Sequence, residues 1–273
     1  MQNEQLSQSL MGLRKADAAY KRIVELSEIV FGEENLLDRE AHLRELQFFL
    51  EGVKGKDSIL TVFNHKAYYP EMEVGQAEFW GDMPEQTYGE RMKSILGLLH
   101  ADYSDFPLDS VKWLTTVISA IPFDQKINMK THHCCMRFIR TDGKQVRLFS
   151  QGIPIQVDEN RNFKYTFNFV QNINNLIKRD FAYYWIRLSY GADNEFVQTF
   201  HSESKVYSTR DLLSPREKEI LLLIDEDMDT KEIARKLHIS VNTVGNHRSN
   251  MIERLGVRDT TALVQLAKMV GMI

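Results

Sequence analysis

Cysteine is nearly absent from this chain of 273 residues, which has only the adjacent pair Cys134 and Cys135. Two neighbouring cysteines are too few to build the disulfide framework of a small secreted protein, and they favour a reducing compartment. No apolar run approaches the roughly 20 residues that cross a bilayer, and residues 1–30 contain no apolar signal-peptide core. The sequence therefore predicts a cytoplasmic protein with no membrane partner.

An excess of basic charge is also missing. The 34 lysines and arginines and the 38 aspartates and glutamates leave a formal net charge of −4. Any nucleic acid must therefore be bound by a local surface, which excludes a histone-like mechanism that depends on bulk charge. Hydrophobic residues at 43% and charged residues at 26% are typical of a globular protein, and the length suffices for about two domains.

The N-terminal part mixes helix and strand patterns. Apolar residues recur at helical spacing between residues 13 and 50, which predicts that the chain opens with helices. Ser58–Phe63 predicts a buried strand, and Thr141–Lys144 predicts an antiparallel hairpin because Asp-Gly favours the tight turn. Short helices are expected around 91–100 and 110–120. The pattern over residues 180–200 fits strands or a helix, and both remain open.

Aromatic residues alternate with polar ones after a second expected turn at Asp158–Arg161. The alternation from Phe163 to Phe169 predicts a strand with one buried face. A wider aromatic set either lines a pocket for a flat ligand or fills the core. That set is Trp80, Trp113, Phe163, Tyr165, Phe167 and Trp185.

The sequence becomes polar and loses its periodicity around residues 201–210, where few contacts are expected to cross between domains. We therefore expect an N-terminal region over residues 1–205 and a second domain over residues 206–273.

This second domain carries a dense set of helix signals. Ser214, Pro215 and Glu217 predict a capped helix that begins at Pro215. Thr230 is expected to cap a second helix, and a short turn then leads into a third helix that ends at Gly256. The second and third helices are therefore expected to be joined by a short turn.

The third helix has an apolar side and a polar side when its residues are placed about 100° apart. The apolar side, expected in the core, consists of Val241, Val244, Met251, Ile252 and Leu255. The polar side, whose short amides and hydroxyls suit base edges in a major groove, consists of Asn242, Thr243, Asn246, Ser249 and Asn250. His247 and Arg254 flank it and are expected to reach phosphates. Arg248 points toward the apolar side and is as well placed to pair with Glu217 as to touch DNA.

Four blocks occur in this tail at a characteristic spacing. They are Leu213–Glu217, Glu232–Leu237, Ser240–Val244 with His247, and Arg254–Val257. Together they resemble the LuxR/GerE-type helix-turn-helix, over Leu212–Ile273. The resemblance implies a DNA-binding transcriptional regulator, not an enzyme, whose third helix reads double-stranded promoter half-sites. Gly245 belongs to this reading set and stands where the family frequently has lysine.

The loss of that lysine lowers the charge available for phosphates. Between Ser240 and Gly256 the formal charge is only +1, so two copies on adjacent half-sites are expected. In the family a fourth helix often forms the dimer contact. Here that helix is Thr261–Met272, and the resemblance implies a homodimer through Leu263, Val264, Ala267 and Val270.

The region before the tail does not begin with the alternating strands and helices of a phosphoacceptor receiver. Ile59–Phe63, Leu99–Asp102 and Arg137–Gly143, with the strands that end near Phe169, resemble a PAS domain, a small α/β sensor fold. The resemblance implies an α+β protein with a helical extension over 1–55, a PAS-like domain over about 56–180, a connector to 205 and an all-α four-helix C-terminal domain. The N-terminal region would sense or dimerise, with a possible unidentified small-molecule ligand.

The segment His132–Cys135 contains residue types that bind metals. Adjacent strand residues point to opposite faces, so only His132 with Cys134, or His133 with Cys135, is expected to share a face. Two ligands do not make a site, and we expect no metal, no cofactor and no catalytic residue. A metal- or thiol-dependent enzyme and a protein-interaction adaptor are the alternatives to a one-component regulator.

Overall fold

The computed structural model describes residues 57–64, 69–75, 79–81, 94–103, 113–114, 116–126, 129–157 and 163–273. The helices expected over residues 1–55 and the turn expected at Asp158–Arg161 lie outside the described residues. In the described part of the chain, no helix is long and apolar enough to cross a membrane.

Within the described ranges, eight antiparallel strands form one sheet. They are β1 (Ser58–Asn64), β2 (Tyr69–Val74), β3 (Lys130–Ile139), β4 (Gln145–Val157), β5 (Phe163–Asn172), β6 (Trp185–Tyr190), β7 (Phe196–His201) and β8 (Val206–Ser208). Their order across the sheet is β2-β1-β5-β4-β3-β6-β7-β8. The predicted hairpin across residues 141–144 is confirmed by the pairing of β3 with β4, and the segment left open at 180–200 is the hairpin β6-β7.

Two strands lack a strong sequence signal. The edge strand β2 was not predicted because Tyr69–Val74 contains a proline and two glutamates, which sheets tolerate mainly at an edge. The short strand β8 pairs with β7 inside the polar segment 201–210, which was expected to be irregular.

Short helical segments pack on one face of the sheet. They are residues 79–80, 94–97, 113–114 and 116–120, a 3-10 turn at Ala101–Tyr103, and α1 (Phe123–Lys126). Trp80 and Trp113 lie in this layer, whereas Tyr165, Phe167 and Trp185 belong to the hydrophobic cluster on the other face. The aromatic set, for which a shared pocket and the core were the two alternatives, is therefore divided between two cores.

Residues 211–273, called here the helical module, pack on that other face. Its helices are α2 (Pro215–Asp225), α3 (Thr230–Lys236), α4 (Val241–Leu255) and α5 (Thr260–Met269). The predicted capping box of α2 is confirmed, with the Glu217 side chain accepting from the Ser214 backbone N–H at 2.8 Å. The cap of α3 was predicted one residue too late: the carboxylate of Asp229 accepts from two backbone N–H groups, and Thr230 is the first helical residue.

A β-bulge in β3 changes the direction of the two cysteines. The register with β4 shifts between Cys134 and Met136, and Cys135 has a positive φ of 75°. Both thiols consequently lie in the core beneath the helical module, with their Sγ atoms 2.9 Å apart. The expectation that neighbouring residues point to opposite faces was wrong here because the bulge adds one residue to the strand. Burial raises the pKa of the Cys134 thiol.

His132 gives the fold a predictable dependence on pH. Its side chain is buried, stacks on Phe149 and lies 2.9 Å from Gln151 between the His Nε2 and the amide Nε2. Burial, followed by the charge of Arg187, lowers the pKa of His132 well below its usual value. The folded chain therefore keeps His132 neutral at pH values where the unfolded chain binds a proton.

We expect the free energy of unfolding to be highest above the ordinary histidine pKa of about 6.5 and to fall as the pH drops below it. Each such histidine contributes a slope of up to about 1.4 kcal/mol per pH unit until its folded-state pKa is reached. Urea titrations at pH 5, 6, 7 and 8 measure this slope. His132→Gln, which keeps an amide beside Gln151, should reduce the slope and leave the part due to His133, whose pKa burial lowers to about 4. An unchanged slope in this variant would contradict the assignment.

Candidate DNA-binding surface

The third helix of the module, α4, is fixed at both ends by local hydrogen bonds. Ser240 caps its start by accepting from the Thr243 N–H at 3.0 Å, and Gly256 ends it in the left-handed conformation at a φ of 71°. Val244, Met251 and Leu255 are fully buried. Val241, predicted to lie with them, is instead 47% exposed, because it occupies the first helical turn beyond the reach of the core.

The polar side of α4 faces solvent. Four of the predicted reading residues are exposed, and they are Asn242, Asn246, Ser249 and Asn250. Thr243, Gly245 and His247 are partly buried beside them, and the Thr243 hydroxyl lies 2.8 Å from the Ser240 hydroxyl. No atom of another element would meet a Cβ at Gly245, so the surface is open at that point. The structure thus presents exposed amides and a hydroxyl together on one side of α4.

Arg254 is held by the protein rather than left free for a phosphate. Its Nη1 donates to the Glu217 carboxylate at 2.8 Å and to the Leu212 carbonyl at 2.9 Å. Burial alone would raise the pKa of Glu217, but hydrogen bonds from Arg254 and from the Ser214 backbone outweigh it, and this pKa lies below its usual value. Both contacts use the same guanidinium nitrogen, and the Arg254 side chain is 39% exposed, so its phosphate contact stays a prediction.

Arg248 ties the helices of the module together. One guanidinium nitrogen donates to the Thr230 hydroxyl at 2.8 Å and another to the Thr260 hydroxyl at 2.8 Å. The alternative pairing with Glu217 was wrong, since Arg254 occupies that carboxylate. Arg248 therefore sets the position of α4 relative to α3 and α5.

Sequence reasoning missed the basic side chains of α3. Lys231, Arg235 and Lys236 are exposed on this helix, and only Lys236 has an ion pair among the described residues, to Glu226 at 3.6 Å. In helix-turn-helix modules the helix before the reading helix crosses the DNA backbone. The sequence did contain a signal: these three basic side chains lie in a short capped helix that comes before α4.

The dimer residues implied by the family resemblance lie inside the protomer. Leu263 and Ala267 are fully buried, Val270 is 1% exposed and Val264 is partly buried. Leu263, Ala267 and Val270 belong to a hydrophobic cluster of their own chain, Val264 packs against that cluster, and the dimer contact stays a prediction.

The remaining candidate sites offer little chemistry. Among the described residues, no group of three or more histidine, cysteine or acidic side chains is placed to hold a metal ion. A cleft of about 1000 Å³ opens between strands β7 and β8 and the start of α2. Its lining includes His201, Glu203, Arg210 and Leu212.

Comparisons with known proteins place the helical module in a known family. The model of the family "bacterial regulatory proteins, luxR family" matches residues 211–267. The spore germination protein GerE of Bacillus subtilis (strain 168) is 43% identical over 68 residues, which cover 24% of this chain and 92% of GerE. The oxygen regulatory protein NreC of Staphylococcus aureus (strain JH9) is 39% identical over 89 residues, which cover 32% of this chain and 40% of NreC. A solved structure of the phage VqmA–DPO complex aligns with 85% of this chain and 90% of that chain, at 12% identity and a TM-score of 0.30.

A large antiparallel sheet followed by a helical module, whose third helix exposes a polar side, defines a helix-turn-helix protein of mixed α+β class. The chain belongs to the luxR family of bacterial regulatory proteins and is a DNA-binding transcriptional regulator. Dimerisation is typical of this family, and the relative NreC carries a regulatory name.

Proposed function

We propose that residues 206–273 read promoter half-sites through the exposed side of α4. Asn246 and Asn250 lie near the middle of this side, one helical turn apart, and supply amides that can bond in pairs to adenine. The observation that carries the proposal is the contrast within α4: a buried apolar side fixes the helix, and the opposite side exposes short polar side chains. Asn242, Thr243, Gly245, His247 and Ser249 complete the reading set.

Phosphate contacts come from the neighbouring helix in this proposal. Arg254 and Arg248 are engaged within the protein, so Lys231 and Arg235 of α3 are the cations placed to reach the backbone. Because α4 itself carries a formal charge of only +1, a single copy should bind weakly and two copies on adjacent half-sites should be required.

The N-terminal region, residues 1–205, acts in this proposal as a cytoplasmic sensor of the PAS type. The order β2-β1-β5-β4-β3 of its first five strands and the short helices between β2 and β3 support this assignment. A small molecule bound within it, or in the cleft between β7, β8 and α2, would be sensed next to the reading module.

The enzyme and adaptor alternatives have less support. Cys134 and Cys135 are completely buried, and burial raises the pKa of the Cys134 thiol, whereas a nucleophilic cysteine needs an accessible thiolate. An adaptor would need a free sheet face, but the helical module covers one face and short helices cover the other.

The double variant Asn246→Ala with Asn250→Ala tests the reading side. We expect specific binding to weaken by about 1–3 kcal/mol for each lost base contact, with little change in non-specific binding. Mobility-shift assays across a salt series measure the specific and the non-specific affinity. The specific duplex is one that the wild-type chain enriches from a random library. Thr261→Ala, exposed on α5, is the control that should not change affinity. Equal affinity of the double variant and the wild type would contradict the assignment.

A further inference from the structure

Helix α4 exposes an apolar side chain in its first turn. Val241, the first residue of this 15-residue helix, is 47% exposed. Within residues 211–273, Leu222 on α2 is the other large hydrophobic residue that is exposed, at 46%. Single exposed apolar residues are normal on a protein surface, so the meaning of Val241 depends on what lies next to it.

Gly245 lies one helical turn after Val241. Residues four positions apart lie on the same side of a helix, with their Cβ positions about 5–6 Å apart. The φ of Gly245 is not positive, and a Cβ at this residue would meet no atom of another element within 4 Å. Neither the backbone conformation nor the packing of this chain therefore requires glycine here, although glycine is less stable than alanine in a helix interior.

The side chain of Val241 and the open space over Gly245 form a shallow feature, called here the apolar notch. Around the helix axis, Gly245 lies about 40° from Ser249 and about 60° from Asn242, and both of these residues are exposed. The buried Val244 lies about 100° away from it. The apolar notch therefore borders the exposed polar side of α4.

The start of α4 carries no charged side chain. From Ser240 to Asn246 the sequence is Ser-Val-Asn-Thr-Val-Gly-Asn. Arginine and lysine are the usual partners of guanine, whereas asparagine can bond in pairs to adenine, and apolar side chains contact the 5-methyl group of thymine. The chemistry of this stretch therefore fits A·T base pairs better than G·C base pairs.

We propose that the apolar notch receives the 5-methyl group of one thymine in each promoter half-site. The inference rests on the proposed function and adds Val241 to the residues that determine specificity. The N-terminal residues of a reading helix are those that contact base edges, and Val241 and Gly245 are the first and fifth residues of α4. Val241 supplies the apolar contact, and the missing Cβ of Gly245 lets the methyl group approach the helix backbone.

The apolar notch also discriminates against the other pyrimidine. Cytosine has no methyl group at this position of the major groove and presents an amino donor there. Val241 offers no acceptor for that donor, and a polar group that is taken out of water without a partner is costly. Asn242 and Asn246, on the polar side of α4, are placed to bond to adenines of the same half-site.

Replacing thymine by deoxyuridine removes only the methyl group and tests the apolar notch from the DNA side. The duplex is one that the wild-type chain enriches from a random library, and each thymine of a half-site is replaced in turn. We expect one position at which the wild-type chain binds about fourfold more weakly, which corresponds to uncovering one methyl group. Equal binding at every position, or a motif with no thymine on either strand of its half-sites, would overturn the inference.

Val241→Ala tests the same contact from the protein side. Alanine is a better helix former than valine, so the fold should persist while both γ-methyl groups are removed. The preference for thymine over deoxyuridine should fall from about fourfold to less than about twofold. Leu222→Ala is the matched control, because Leu222 is as exposed as Val241 but lies on α2, and it should keep the full preference. A full preference in Val241→Ala would contradict the assignment.

Gly245→Ala fills the apolar notch. We expect this variant to bind the thymine duplex at least about fivefold more weakly than wild type, because the added methyl group occupies the space of the base methyl group. The loss should be smaller on the deoxyuridine duplex. Stability should not fall with affinity, because the new Cβ meets no atom of another element. Wild-type affinity and preference in Gly245→Ala would contradict the inference.

The outcomes separate the apolar notch from the proposed function. If the enriched motif depends on Asn246 and Asn250 but shows no preference for thymine over deoxyuridine, the proposed function stands and the apolar notch is wrong. If the preference is present and disappears in Val241→Ala, while Asn246→Ala with Asn250→Ala recovers the same motif, the apolar notch is supported and the role of these two amides is wrong. A folded wild-type chain that enriches no duplex contradicts both.

Discussion

Gly256→Ala should lower the free energy of unfolding by about 2–5 kcal/mol, because two costs add up: a side chain in the left-handed conformation, and overpacking of the core around it. Gly256 has a φ of 71°, where a side chain is disfavoured. A Cβ built there would lie 2.4 Å from the ring of Phe181, which packs on the helix end from the sheet domain. Urea denaturation followed by circular dichroism measures the loss.

Gly245→Ala is the matched control for this variant and should have the opposite sign. Gly245 lies within α4 at an ordinary φ, and no atom of another element would come within 4 Å of its Cβ. Alanine in a helix interior is favoured over glycine by about 0.5–1 kcal/mol. If both variants destabilised the chain equally, the close contact at Gly256 would not be the cause.

Trp185→Ala should cost about 3–5 kcal/mol, which is the range for truncating a large buried aromatic side chain. Trp185 is fully buried where β6 meets the hydrophobic cluster shared with the helical module. Its indole Nε1 makes no hydrogen bond within the described part of the chain, so phenylalanine removes a donor that contributes little. Trp185→Phe should therefore cost less than half as much as alanine, and an equal cost in calorimetry would contradict this account.

Local signals predicted the helical module well. Ser214, Pro215 and Glu217 define a helix start through short-range hydrogen bonds, and the structure confirms the capping box that they predict. The end of α4 at Gly256 was equally clear, because glycine is favoured at the left-handed position after a helix. Such features depend on residues only a few positions apart, which is why a sequence can reveal them.

The cap of α3 was misplaced by one residue, but the larger errors arise where distant parts of the chain meet. The spacing of residues along α4 could not show that Arg254 pairs with Glu217, because the two residues lie 37 positions apart. Nor could a local pattern show that Leu263, one of the family dimer residues, is fully buried within its own chain. Tertiary contacts of this kind decide which side chains are free to bind, and no local pattern contains them.

The sheet was predicted in part for the same reason. The hairpin turn at residues 141–144 was visible, but the bulge that brings Cys134 and Cys135 to one face depends on pairing between strands. The division of the aromatic residues between two cores likewise follows from which strands lie next to each other. Period-two patterns show that a strand has two faces without showing what each face meets.

Selection of bound duplexes from a random library tests the central claim most directly, that the exposed polar side of α4 reads DNA sequence. The wild-type chain should enrich a two-fold symmetric motif with half-sites about one helical turn apart, and Asn246→Ala with Asn250→Ala should lose the preference at the positions those amides contact. Recovery of the same motif by both proteins, or of no motif by a folded wild-type chain, would contradict the account.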